Sequence, residues 1–304
     1  MSELSVVIPT YNRCQILDKA ISAYLRQTAG QSIAEMIVVD DGSTDVTKEV
    51  VTKWSQTSSI PIRYFRQENK GPAAARNVGI GQARGDLILF TDDDILPAPN
   101  LVSEHLNFHR RSPEFTTAVL GRVNWADEVQ PTPFMNWYGS DFLFAYGSFI
   151  GRTELDYPDF YSCNVSLKTA FLRRHGFFDE EFKSAAYEDI ELGYRLKKAG
   201  MRLVYNPQAL GHHHQFISFE DACRRAQKAS VAEQVFRNKE AGLDFAARQC
   251  LRSPLAAQGS PGNATRLRSV KKYLAWLLAP LKTAMDCRVP LPWTIYRTML
   301  RIYR

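Results

Sequence analysis

Residues 90–95 read FTDDDI, three adjacent carboxylates directly after an apolar run. Crowding like charges costs free energy unless a cation or a set of donors sits among them. Hard oxygen ligands in a short loop suit Mg²⁺ or Mn²⁺, which take one or two carboxylates and leave other positions to phosphate oxygens and water. The plain alternative is a solvated acidic loop ahead of Pro97. At Asp40-Asp41-Gly42-Ser43, a carboxylate can accept the ring N–H of a pyrimidine or a ribose hydroxyl, and the same residues can simply make a turn and cap a helix. Glu188-Asp189 lie at a predicted helix start, where the macrodipole favours acids and where a carboxylate can also act as general base. In Gly211-His212-His213-His214, His212 and His214 fall on the same side of an extended chain, as a metal or diphosphate contact or as a surface turn. Asn69-Lys70-Gly71-Pro72-Ala73-Ala74-Ala75-Arg76 opens a helix whose amides and cations can face phosphates, with Pro72 marking the first turn.

These residues need elements to position them. Short β-branched runs alternate with helical patterns: strands at Ser5–Ile8, Met36–Asp40, Ile62–Arg66 and Asp86–Phe90, and helices at Cys14–Gln27, Asp45–Trp54 and Pro72–Ala83. That alternation implies right-handed crossovers and a largely parallel sheet with helices on both faces. Ligands of such sheets lie outside the carboxyl ends of the strands. Pro9-Thr10-Tyr11, Asp40-Asp41 and Asp92-Asp93-Asp94 all follow strands, so they are expected to share one edge. Residues 113–161 are aromatic-rich without periodicity and read as irregular, either an acceptor cleft or covering loops. Beyond them come a strand-like CNVSL, helices at Lys168–His175 and Ile190–Lys198, and a strand at Arg202–Tyr205. A helical stretch Phe219–Arg248, a linker at 253–264 and a basic amphipathic segment at 266–304 complete the pattern.

Composition sets bounds. The chain has 304 residues, 45% hydrophobic and 23% charged, as in an ordinary folded protein. Its five cysteines are scattered and form no C-x-x-C pair, which fits a reducing compartment and argues against a disulfide framework or a thiolate zinc site. The N-terminal apolar run is strand-sized rather than a signal peptide, and no window is long enough to span a bilayer. The net charge is +6, and nine Lys or Arg against one acid lie between Asn263 and Arg304. A helix with an apolar face and a basic rim can lie on an anionic bilayer, or the same stripe can pack on the protein. No nucleic-acid module accompanies the charge, so nucleic acid is not an expected partner.

Taken in order, VVIPTYNR, IVVDDGSTD, NKGPAAARNVGI, GDLILFTDDDILP and YEDIELGYRLKKAG resemble a family 2 glycosyltransferase with the GT-A fold, over about residues 5–214. The resemblance implies an α/β, Rossmann-like, mostly parallel sheet, an inverting transfer by one displacement, a nucleoside-diphosphate sugar donor with UDP the first choice, and Mn²⁺ or Mg²⁺. It assigns Pro9, Thr10, Tyr11, Asp40, Arg76 and Asp92 to the nucleotide sugar. Asp93 and Asp94, with His212 or His214, fall to the metal, and Asp189 beside Glu188 to general-base catalysis. Within the trio the register stays open between Asp92-x-Asp94 and Asp93 as principal ligand. Cys163 stands where the family more often has a small residue.

The organisation expected is a catalytic domain at 1–220, with a nucleotide-binding half at 1–97 and an acceptor-binding half at 98–220, and a helical basic extension at 221–304. The expected function is transfer to a glycan or lipid-linked acceptor in surface polysaccharide or glycolipid synthesis, by a cytoplasmic protein in peripheral contact with the inner face of the cell membrane. The rival is a non-catalytic sugar-nucleotide-binding or scaffold subunit, in which Asp189→Asn would leave function untouched.

Overall fold

Near-continuous apolar runs at the N-terminus become strands buried on both faces, as parallel strands between helical layers must be. In the computed structural model, which describes residues 4–152, 154–245 and 294–298, the chain runs β1 (Leu4–Thr10), α1 (Cys14–Leu25), β2 (Ile33–Asp40), α2 (Thr47–Thr57), β3 (Ile62–Arg66), α3 (Pro72–Gln82), β4 (Leu87–Thr91) and β5 (Ile95–Pro97). It continues through α4 (Leu101–Arg111), β6 (Thr117–Trp125), α5 (Pro133–Tyr138), β7 (Asn164–Lys168), α6 (Thr169–His175), α7 (Glu188–Lys198), β8 (Arg202–His213) and α8 (Phe219–Arg237).

Two compact units result: residues up to Val129 with Phe144–Gln215, and Gln130–Leu143 with the described residues from Phe216 onward. All eight strands form one sheet in the first unit, in the order β3-β2-β1-β4-β7-β6-β8-β5. The first four are mutually parallel, and β6 pairs parallel with β8. β7 and β5 run antiparallel to their neighbours, so the second half of the sheet is mixed rather than parallel.

Alternation along the strands sends side chains to opposite faces. Val6 and Ile8 of β1 join Leu17, Ile21, Val51, Leu101 and Leu106 from α1, α2 and α4. Val7 joins Ala73, Ile80, Phe171, Leu192 and Leu196 from α3, α6 and α7. The second unit, taken by itself, is built on aromatic packing. Phe134 meets Trp137, Tyr138, Phe219 and Tyr296 at centroid distances of 5.3–5.9 Å. A capping box between Ser218 and Asp221 starts α8.

Several boundaries differ from the sequence pattern, each for a local reason. α2 starts at Thr47, not at Asp45, because the Asp45 carboxylate accepts hydrogen bonds from the Thr47 amide and hydroxyl and from the Cys14 amide. β8 extends through Pro207 to His213. A register shift, from Gly121 opposite Asn206 to Arg122 opposite Leu210, absorbs the proline outside the ladder. The stretch read as irregular contains β6 and is shared between the two units, Trp125, Phe144 and Tyr146 in one and Phe134, Trp137 and Phe142 in the other. α4 and β5 had no clear sequence signal. α8 ends at Arg237, residues 240–245 are helical again after a break at 238–239, and residues 246–248 of the expected helical stretch, which ran to Arg248, lie outside the described residues. The 253–264 linker and the basic 266–304 segment also lie outside them, apart from residues 294–298, which are helical. Among the described residues no helix is long and apolar enough to cross a membrane.

α4 carries two buried histidines against the sheet. His105 meets Ser166 Oγ at 2.8 Å and Asn164 Oδ1 at 2.9 Å, and His109 meets Ser166 Oγ at 2.9 Å. Burial pushes His105 down to about 4 and His109 down to about 3. Below the ordinary histidine value of 6.5 the unfolded chain takes up protons that the folded one refuses, so stability declines as pH falls from there toward 4. The melting temperature is expected to drop across that interval, and His105→Gln with His109→Gln is expected to flatten the slope even if the variant is less stable throughout.

Candidate active site

The carboxyl ends of β1, β2 and β4 lie on one edge of the parallel half, which brings Thr10, Asp40 and the 92–94 trio to the same side. The Thr10 hydroxyl donates to Asp93 Oδ2 at 2.7 Å. Arg13, just past β1, donates from Nη1 to Asp93 Oδ1 at 2.7 Å and to Asp94 Oδ2 at 2.8 Å. Both acids are almost fully buried, 3% and 4% exposed. Burial first, then repulsion from Asp94, raises the Asp93 carboxyl, against the pull of Arg13.

Asp92 points elsewhere. It accepts from Arg76 Nη2 at 2.8 Å, and Arg76 Nη1 donates to Glu188 Oε1 at 3.1 Å. Arg76 is 3% exposed, and its guanidinium lies 5.5 Å from the centre of the Phe178 ring. One buried cation therefore ties the strand-end trio to the first turn of α7, where Glu188 lies 112 positions along the chain from Arg76. Glu188 is likewise 3% exposed, and its Oε2 has no hydrogen-bond partner. Burial raises Glu188, and repulsion from Asp189 adds to it. Burial also raises Asp189, whose Oδ1 accepts the Ile190 amide at 2.9 Å. Tyr187, ahead of the acids, holds a left-handed φ of 67°, a conformation a bulky side chain adopts only when its surroundings enforce it.

At the end of β2, Asp40 accepts the Ser43 amide at 2.7 Å and the Tyr64 hydroxyl at 2.5 Å. Asp41 has a supporting task. It accepts from Gln67 Nε2 and from the amides of Lys70 and Gly71, fastening the loop that opens α3. Gly71 takes a φ of +94°, and a Cβ there would lie 2.6 Å from the Lys183 carbonyl oxygen, so only glycine fits. Pro9 stays in the β1 ladder opposite Val39, and Tyr11 is exposed just beyond it.

Residues 5–182 match the Glycosyl transferase family 2 model. The chain belongs to glycosyl transferase family 2. Validoxylamine A glucosyltransferase of Streptomyces hygroscopicus subsp. jinggangensis is 34% identical over 232 residues, 68% of this chain and 54% of that protein. Hyaluronan synthase of Pasteurella multocida is 26% identical over 268 residues, 78% of this chain and 27% of that protein. The chain thus spans about half the length of the first of these relatives and less of the second. Among solved structures, a mannosyltransferase from Pyrobaculum calidifontis in complex with GDP-Man and Mn²⁺ superposes with a TM-score of 0.60 at 20% identity, covering 99% of this chain and 86% of that one. S. aureus TarS 1-349 in complex with UDP-GlcNAc gives 0.56 at 18%, covering 99% and 89%. The fold is that of GT-A glycosyltransferases.

For this family 2 chain the histidine run departs from the expectation. His213, rather than His212 or His214, turns toward the acids, its Nε2 3.5 Å from Asp94 Oδ2, with the Trp125 and Phe144 rings at 5.2 and 5.7 Å. The reason is register: His212 and His213 belong to β8, whose alternation places neighbours on opposite faces, and His214 lies just past its end. His212 lines a separate cleft of about 300 Å³ with Arg26, Leu96, Asp127 and Glu128, and His214 Nε2 lies 3.3 Å from Lys19 Nζ. Arg76, assigned from sequence to the nucleotide, is enclosed between Asp92 and Glu188 instead. Arg13 and Tyr64 escaped the sequence reading. Arg13 directly follows PTYN, and that adjacency was the available signal. Cys163 is half-buried, and desolvation first, then the charge of Asp92 and Asp189, pushes its thiol up.

The donor set can be tested against a divalent ion. Among the described residues no group of three His, Cys, Asp or Glu stands at metal-ligand spacing. Two buried adjacent carboxylates already gripping one cation nevertheless suit Mg²⁺ or Mn²⁺, which draws its other ligands from phosphate and water. Removing Arg76 leaves Asp92 and Glu188 without their shared cation. Arg76→Met is expected to destabilise the fold by about 3–5 kcal/mol, the usual consequence of breaking a buried pair. Adding Glu188→Met should recover part of that loss in urea denaturation.

Proposed function

We propose that this protein is an inverting glycosyltransferase that moves a sugar from a nucleoside-diphosphate sugar to a hydroxyl of a glycan or lipid-linked acceptor. The observation that carries the reading is the Arg76 link, which draws the strand-end trio and the Glu188-Asp189 pair into one site. Asp40, accepting from Ser43 and Tyr64, is assigned to the base or ribose, with Pro9, Thr10 and Tyr11 beside it. Relatives seen with UDP-GlcNAc or with GDP-Man and Mn²⁺ support a nucleotide-sugar donor and a divalent ion here.

In the mechanism Asp189 is the base and Glu188 its neighbour held by Arg76. An acceptor hydroxyl oxygen attacks the anomeric carbon as Asp189 takes its proton, and the bond from that carbon to the diphosphate oxygen breaks on the opposite side. One displacement inverts the configuration. Asp93 and Asp94 would hold the divalent ion, with His213 at its edge, and that ion would neutralise charge on the departing diphosphate. Surface polysaccharide or glycolipid synthesis is the assigned setting. The basic segment at 266–304 is assigned to peripheral contact with the inner face of the cell membrane, as an extension of a catalytic domain ending near residue 220.

Transfer from UDP-, GDP- and dTDP-sugars, with and without Mn²⁺, tests the reading. One donor should release nucleotide in a metal-dependent way, and Asp189→Asn should lower the rate by about 10²–10⁴-fold with donor binding retained. Nucleotide release from no donor would sink the transferase reading. A wild-type rate in Asp189→Asn would remove Asp189 from the role of base. Since the base must be ionised and burial raises its pKa above the ordinary 3.8, activity is expected to fall as pH drops through a limb displaced upward from the usual carboxylate range.

A further inference from the structure

We propose that Arg13 is the resident counter-cation of Asp93 and Asp94, and that a divalent ion must displace it, so that Arg13 sets the metal affinity of this chain. The inference rests on reading those two acids as the metal site. It adds a competitor built into the fold.

The argument begins with what the acids demand. Two adjacent carboxylates, each with less than a twentieth of its surface exposed, cannot both stay ionised without a cation close by. Thr10 supplies one neutral hydrogen bond to Asp93, and His213 stands 3.5 Å from Asp94. The positive charge comes from Arg13. A single nitrogen, Nη1, bridges one oxygen of each acid at 2.7 and 2.8 Å. Bridging by one atom is how a point cation would sit, and not the two-nitrogen fork by which guanidinium usually grips one carboxylate. A divalent ion bound to Asp93 Oδ1 and Asp94 Oδ2 would need the same two oxygens and would repel the guanidinium. The two cations are therefore alternatives at these atoms.

Arg13 also differs from the buried Arg76 in its freedom to leave. The Arg76 side chain is 4% exposed and locked between two motifs, whereas the Arg13 side chain is 30% exposed. Its backbone stands at the N-cap of α1 with φ −140° and ψ 35° and makes no side-chain cap bond. Swinging the side chain outward breaks two ion pairs and no element of the fold.

The test measures metal binding directly. Free Mn²⁺ is followed by electron paramagnetic resonance while the full chain is titrated as wild type, Arg13→Gln, Arg13→Lys and, as a charge control, Arg202→Gln, whose arginine pairs with the exposed Glu154. Arg13→Gln is expected to bind Mn²⁺ about tenfold more tightly or better, on the scale by which a nearby charge shifts a carboxylate. Arg13→Lys should fall between it and wild type, and Arg202→Gln should match wild type. Mn²⁺ should also raise the melting temperature more in Arg13→Gln than in wild type, since the metal-free variant lacks a counter-cation. Equal affinity in wild type and both Arg13 variants, with binding intact, overturns the role of Arg13 while leaving the metal site standing. An equal gain in Arg202→Gln overturns it too, by showing a general charge effect. If no variant binds Mn²⁺ at millimolar concentration, the metal site and this inference fall together.

Discussion

Buried negative charge is the constraint around which the rest of this structure is arranged. Asp92, Asp93, Asp94, Glu188 and Asp189 gather at one edge of a sheet, and burial raises the carboxyls of Asp93, Glu188 and Asp189. Two arginines make the arrangement tolerable, and they do so differently. Arg76 is enclosed and joins Asp92 to Glu188, which fixes the distance between two motifs remote in sequence. Arg13 is partly open to solvent and bridges Asp93 and Asp94. A buried ion pair adds little net stability over apolar packing, but removing one partner is severe, so such a link specifies geometry more than it stabilises the chain.

The sheet supplies the edge on which this charge can gather. Parallel strands β1, β2 and β4 end in the same direction, so the residues after each fall side by side. The mixed half contributes by other means. β7 runs back antiparallel against β4, and β8 carries His213 opposite Ile95, one residue beyond the acidic trio. Supporting contacts then fix the loops. Asp41 holds the Lys70 and Gly71 amides, and the His105, His109, Ser166 and Asn164 network seats α4 on the sheet. These contacts pair the polar groups inside the protein, as a buried loop or helix face requires, except for His109 Nδ1, which has no hydrogen-bond partner.

The acids at this edge are poised rather than relaxed. Carboxyls raised by burial and mutual repulsion store unfavourable energy in the ionised state, as sites that must take up a cation or a proton commonly do. The left-handed Tyr187 immediately before Glu188 is a second sign of local strain held by the surrounding fold. Stability is drawn from elsewhere, from the apolar layers on both faces of the sheet and, in the second unit, from the aromatic group around Phe134.

Local pattern determined much of this protein. The alternation of strands and helices through residue 91, the placement of Asp40 and Asp92–Asp94 after strands, and the acids opening α7 were all legible, because each depends on near neighbours, periodicity and turn chemistry. The order of five short motifs carried the family. Tertiary structure alone decided the rest. Register in β8 chose His213 over His212 and His214, since a one-residue step flips a side chain to the other face. The bulge that admits Pro207 hid the length of that strand, and the aromatic stretch was divided between two units by long-range packing that leaves no period in the sequence. Arg76 looks from sequence like a phosphate contact at a helix start. Only the approach of α7 to the end of β4 makes it the cation that the buried Glu188 and the half-buried Asp92 share.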